Sequence, residues 1–284
     1  MGTKGRSIRH PGPTPKPMPA MILAPLAALL YLAATGLQLM HIFQQRQQIN
    51  RLFVVLSVAA LVCHAVVVWV SIFPASGMEL GFYKVSALIF LVINILCMLS
   101  LARRPLQNLL VVLFPLSALA VLISYYAPET APIRTDLPPG ILLHIGSSIL
   151  AYAVLTLAAA QAALLAAQDH QLKHRHTRGL VQILPPLQLM ETMLFELLWV
   201  GEILLSIAIL SGFVFLDDIF AQQLVHKTVL TLGAWLLIAV LLWGHYALGW
   251  RSKTAVRLTL SGFALLVLAF FGTKLVLELI LQRP

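Results

Sequence analysis

Long apolar runs separated by short polar clusters set the design of this chain. Runs able to supply the ~20 helical residues that cross a bilayer occur at Ala20 to Phe43, Leu52 to Phe73, Val85 to Leu101, Leu106 to Tyr126, Gly140 to Ala167, Leu197 to Leu216, Val229 to Trp250 and Val256 to Leu281. They predict an all-α, polytopic membrane protein with about eight transmembrane helices, the third short and the fifth long. No soluble domain and no clear internal repeat separates them. Pro185-Pro186 stops the chain before span six. The stretch after it, Leu187 to Leu198, carries Glu191 and Glu196 among Leu, Met and Phe, and reads either as a short interfacial amphipathic helix or as a plain connector. The first apolar run exceeds the ~7 to 15 residues of a signal-peptide core, so it is read as a span and not as a cleaved leader. Residues 1–19 then form an N-terminal tail and residues 20–284 a single transmembrane domain.

Composition agrees with this pattern. Of 284 residues, 60% are hydrophobic and 10% charged, whereas a soluble domain carries about a quarter charged residues. A net charge of +9 would point to nucleic acid in a soluble chain; here the cations gather in the connections between spans, and nucleic-acid binding is not expected. Arg46, Arg51, Arg103, Arg104, Lys173, Arg175, Arg178, Arg251, Lys253 and Arg257 all fall in odd connections, and Arg134 alone sits inside an even one, with Lys84 and Lys227 at span edges. By the positive-inside rule the odd connections are cytoplasmic, with both termini on the outer side. The basic tail with Lys4, Arg6, Arg9 and Lys16 conflicts with that orientation. A translation start at Met18 or Met21 removes the conflict. The two cysteines, Cys63 and Cys97, each lie inside an apolar run, so neither a disulfide framework nor a CxxC motif is available.

The chemistry to explain is polar groups in hydrocarbon, which are costly unless they pair, face water or bind something. Four histidines lie in or at the ends of spans: His64, His144, His226 and His245. Neutral imidazole is a standard iron ligand, and two from facing helices can hold a haem between them; joining helices through a backbone carbonyl or hydroxyl is the alternative. At 1.5 Å per residue, His64 and His245 differ in depth by about 10 Å, which weighs against pairing them. Trp243, Tyr246 and Trp250 surround His245, as cover for a macrocycle or as an interfacial belt. Arg51 and Arg251 have two readings too, as partners for propionates or as orientation charges. Glu202 is a lone carboxylate in span six, whereas Lys274 and Glu278 sit four apart on span eight and neutralise each other. Cys63 points ~100° away from His64 and is read as packing.

A family resemblance adds to this. Leu142-Leu143-His144-Ile145-Gly146 with Ala151-Tyr152-Ala153, Pro185-Pro186-Leu187-Gln188 leading to Gly201 and Ser211-Gly212, and Trp243-Gly244-His245-Tyr246 with Gly249-Trp250-Arg251 resemble the cytochrome c assembly family. These are the CcsA-like haem-handling membrane proteins, and the YpjD-type branch is the most similar; Leu61-Val62-Cys63-His64-Ala65 resembles that branch as well. The likeness runs from span two to span eight. It implies haem b held between His64 and His245 as metal ligands, and an outer haem contact at His144. It also implies membrane lipid, haem, and apocytochrome c or other cytochrome-assembly proteins as partners. Two departures stand out. Leu216 to Leu224 holds no tryptophan-rich segment, and Leu277-Glu278-Leu279-Ile280 lacks the second outer histidine, for which His226 is a weak substitute. The departures fall on the delivery machinery, so the resemblance implies haem binding more than cytochrome c synthase activity. The function expected is an inner-membrane haem-binding or haem-handling protein linked to c-type cytochrome assembly or respiratory-chain maturation. Its rivals are a small-solute or ion transporter using Glu202 and the histidines, and a non-catalytic assembly subunit.

Overall fold

A computed structural model describes residues 18–44, 50–74, 77–101, 107–126, 133–174, 184–215 and 225–272. Eight helices long and apolar enough to cross a membrane occupy them. In chain order these are α1 (Met18–Phe43), α2 (Arg51–Ile72), α3 (Phe82–Ser100), α4 (Gln107–Tyr126), α5 (Pro139–Lys173), α6 (Leu187–Phe215), α7 (Val225–Leu248) and α8 (Ser252–Val267). A π-helical turn, Leu268–Gly272, continues α8. A two-residue antiparallel ribbon, β1 (Met78–Glu79) with β2 (Ile133–Arg134), ties two even connections together. The basic tail, the connection cations Arg46, Arg103, Arg104, Arg175 and Arg178, the segment 216–224, and the Lys274 and Glu278 pair lie outside the described residues.

Local chemistry sets the helix ends. The side chain of Asn50 accepts from the Leu52 amide at 2.9 Å and caps α2, filling one of the orphan N–H positions of a first turn. α5 opens with Pro139 at its first position, where a missing N–H costs nothing. α7 ends at Gly249, whose φ of +68° suits glycine best. The turn that follows closes through the Trp250 amide donating to the Gly244 carbonyl at 3.2 Å.

Two cores divide the bundle. In the first, α1 to α4 bury Tyr31, Phe53, Val67, Ile93, Leu110 and Phe114. In the second, α5 to α8 bury Leu155, Leu194, Leu198, Ile238, Leu241 and Ala255. α5 links them, packing on α3 as well as on α6 and α8. Lipid is as apolar as these side chains, so close packing and hydrogen bonds hold such helices together more than the hydrophobic effect does. Small residues permit the approach. A Cβ on Gly201 of α6 would lie 2.5 Å from Leu155 Cδ2 of α5. Large apolar side chains such as Ile22, Val55, Trp69, Leu210, Val214 and Trp243 stay exposed on the outside, where lipid would meet them.

One expectation changes. Leu187 to Leu198 is neither a separate interfacial helix nor a connector; it forms the first three turns of the continuous 29-residue α6. No glycine or proline lies between Leu187 and Leu198, and Met190, Leu194 and Leu198 are buried in the second core. Gln161 and Gln168 of α5 anchor this end, donating to the carbonyls of Met190 at 3.2 Å and Pro185 at 3.0 Å.

Candidate functional site

At the end of the bundle where α5 begins, α3, α5, α6, α7 and α8 enclose a cavity of about 290 Å³. That is close to the lower limit of small-molecule sites, about 300 Å³. Its walls are mainly apolar, with Ile89, Ile149, Leu205, Ile209, Leu266 and Phe270 among them. The π turn after α8 brings Ala269 and Phe270 to the wall, in keeping with the habit of such turns to mark functional sites. Two basic side chains join this lining, His144 of α5 and Lys227 of α7.

His144 is held by one nitrogen. Its Nδ1 lies 2.7 Å from the Ala208 carbonyl of α6; a carbonyl only accepts, so Nδ1 carries the proton and donates. That fixes the tautomer and leaves Nε2 as the lone-pair nitrogen. Ligating histidines are commonly oriented by a second-nitrogen hydrogen bond of this kind. Ser147, one turn along, turns its hydroxyl back onto the Leu143 carbonyl at 2.7 Å.

His245 shows the same arrangement at the opposite end. Its Nδ1 donates to the Trp250 carbonyl at 2.7 Å, and its ring stacks on Phe195 of α6 with centroids 3.5 Å apart and planes 18° from parallel. Beside it Arg251 Nε lies 3.7 Å from Glu191 Oε1. Arg251 therefore faces a carboxylate here.

His64 is placed differently. It is fully buried, with Nδ1 3.1 Å from the Tyr31 hydroxyl of α1 and the two rings edge to face. Tyr31 in turn packs on Phe114 of α4. Close by, Asn94 of α3 donates to the Ser117 hydroxyl of α4 at 2.7 Å. Nε2 of His64 makes no hydrogen bond of good geometry.

The structure does not bring His64 and His245 together. α2 packs chiefly on α1, α3 and α4, whereas α7 packs on α6 and α8; at 8–10 Å between packed axes, the intervening α3 and α5 set the two helices roughly 20 Å or more apart. Depth adds to this. His64 is 13 residues from the Arg51 end of α2 and His245 three from the Leu248 end of α7, a difference of about 15 Å at 1.5 Å per residue. His226 is exposed at the start of α7. Among the described residues no group of three histidines, cysteines or carboxylates is placed to hold a bare metal ion.

Compared with known proteins, the chain matches the family described as Cytochrome C assembly protein over residues 23–281. It belongs to that family. The inner membrane protein YpjD of Escherichia coli K12 is 31% identical over 261 residues, covering 91% of this chain and 99% of that protein. An uncharacterized 28.8 kDa protein of Azospirillum brasilense is 34% identical over 155 residues, 53% of this chain and 57% of that protein. No solved structure matches. Membership and the eight apolar helices agree with the architecture read from the sequence, and the E. coli relative is named for the inner membrane. Three residues that shape the polar sites escaped that reading. Tyr31 and Thr259 sit in apolar runs with no local signal, and Lys227 reads as a span-edge cation until the cavity is seen.

Proposed function

We propose that this cytochrome c assembly family member binds and handles haem, with His144 as a haem contact in the cavity between α3 and α8. The observation that carries the reading is the His144 Nε2, left with its lone pair by the bond from Nδ1 to Ala208, on the wall of a mainly apolar cavity. A porphyrin supplies four of the iron's ligands itself, so one imidazole from the protein suffices to anchor it. The residues fit that group at three points. Ala208 holds the imidazole in the ligating tautomer, the aliphatic and aromatic walls offer an apolar face to a macrocycle, and Lys227 would place a cation near a propionate carboxylate. His144 and Lys227 would hold the group, and haem bound there would supply a redox-active iron centre. His64 and His245 do not fit a shared iron as arranged here, and no step is assigned to that pair.

Family membership supports the wider role, in which haem held at the cavity serves c-type cytochrome maturation. With the odd connections cytoplasmic, the cavity opens toward the periplasmic side, where apocytochromes receive haem. The test is haem titration of the detergent-purified protein followed by visible spectroscopy. A Soret band that saturates near one haem per chain, and that His144→Ala weakens at least about tenfold in affinity, is the expected result. No band, or a band indifferent to His144→Ala, overturns the reading.

A further inference from the structure

Glu202 is the polar group that haem binding leaves unexplained. It is 7% exposed, and neither carboxylate oxygen has a hydrogen-bond partner. Thr259 of α8 is 2% exposed, and its hydroxyl is likewise unpartnered. Both side chains point into the α5 to α8 half. Glu202 shares a face with Leu198 and Leu205, and Thr259 with Ala255 and Leu266, all four of them members of the second core, by the three-, four- and seven-residue spacing of one helix face.

Their relative height follows from contacts at both ends. The Ser252 amide of α8 donates to Glu191 Oε1 of α6 at 3.4 Å, and at the other end Leu266 and Leu205 line the same cavity. These contacts set the two helices level to within about one turn. Thr259, seven residues above Ser252, stands level with Leu198, one turn below Glu202. α7 runs the other way, and two contacts set its height: Trp235 Nε1 donates to Ser206 Oγ at 2.9 Å, and His245 lies on Phe195.

Placed on this common scale, the polar groups of the half form a descending series. His144 is level with Ala208; Glu202 follows, then Thr259, then His245 beside Phe195, then Glu191 with Arg251. Successive steps rise about 9, 6, 4.5 and 6 Å at 1.5 Å per residue.

A lone ionised carboxylate in an apolar interior is costly, and such groups inside membranes mark proton and ion paths. We propose that the α5 to α8 half carries a proton path from the His144 cavity to the His245 end, with Glu202 as its obligatory proton-binding group. A proton enters from water in the cavity onto the Glu202 carboxylate, giving the neutral acid. It leaves by way of water and the Thr259 hydroxyl to His245 Nε2, and then to water at the Glu191 end. One proton enters and one departs, and no oxidant or reductant is needed. The other described ionisable groups on these helices are Tyr152, Asp169, His170 and Lys173 on α5, Glu196 on α6, His226, Lys227 and Tyr246 on α7, and Lys253 and Arg257 on α8; all but Tyr152 and Asp169 are exposed. The path does not depend on haem, so it stands or falls apart from the spectrum.

The experiment is proton uptake by liposomes that contain the purified protein and a trapped pH dye, driven by a potassium diffusion potential. Acidification at least about fivefold above protein-free liposomes is expected, with loss of most of that excess in Glu202→Gln and retention in Glu202→Asp. If Glu202→Gln does not fold, wild-type protein treated with dicyclohexylcarbodiimide replaces it. That reagent attacks buried protonated carboxyls, and modification found at Glu202 together with loss of flux supports the path. Flux no greater than in empty liposomes, or flux untouched by both the substitution and the reagent, overturns it.

Discussion

The two halves of the bundle bury similar polar residues and treat them in opposite ways. In α1 to α4, His64 meets Tyr31 and Asn94 meets Ser117, each bond joining two helices. In α5 to α8, Glu202 and Thr259 are left without partners, while His144 and His245 are fixed through Nδ1 with Nε2 spare. Polar side chains in the first half pair across helices while His64 Nε2 and Asn94 Oδ1 stay unpartnered, and in the second half the Glu202 carboxylate and the Thr259 hydroxyl have no side-chain partner at all. Burial alone therefore does not identify a functional histidine. His64 is the most buried of the three candidates, yet its surroundings suit helix joining; the half-buried His144 faces a cavity.

The difference can be broken most sharply at His64. His64→Ala removes a fully enclosed ring and strands the Tyr31 hydroxyl, and a destabilisation of about 3 kcal/mol is expected, as for other large-to-small changes in packed interiors. Denaturant unfolding in detergent micelles measures it, and a change below 1 kcal/mol would dissolve the contrast with the second half. Gly201→Val comes next. A side chain there collides with Leu155, and overpacking of about 2 kcal/mol is expected between α5 and α6, read in the same unfolding assay. Thr259→Val should act with the opposite sign. It removes an unpartnered buried hydroxyl at nearly constant shape, so stability should rise by about 1 kcal/mol. A loss there would mean that the hydroxyl is already bonded to water in the resting protein. Tyr31→Phe is the smallest effect, about 0.6 kcal/mol lost with its interhelical hydrogen bond.

The fold was largely legible because lipid demands long apolar helices, and that demand is written residue by residue. Breaks at Pro138-Pro139 and Gly249 mark the ends of α5 and α7 through simple backbone chemistry. The beginning of α6 was misread because Glu191 and Glu196 suggest an interface to a linear scan. In the structure Glu191 faces Ser252 and Arg251, a contact 60 residues away that no local pattern carries. The site was legible in part. His144 stood out by resemblance and by position, and Glu202 by its charge. The pairing of His64 with His245 could not be judged from sequence beyond depth, since which helices adjoin is decided by packing across the bundle. Thr259 gave no signal, because a single hydroxyl in an apolar run becomes meaningful only when its neighbours leave it unpaired.

The division of labour between the halves is tested most directly by the visible spectrum of the haem-titrated protein carrying His144→Ala or His64→Leu. Loss of the Soret band in His144→Ala, with the band kept in a folded His64→Leu protein, is the predicted result. A band that survives His144→Ala and disappears in folded His64→Leu would contradict it and return the haem to the first half.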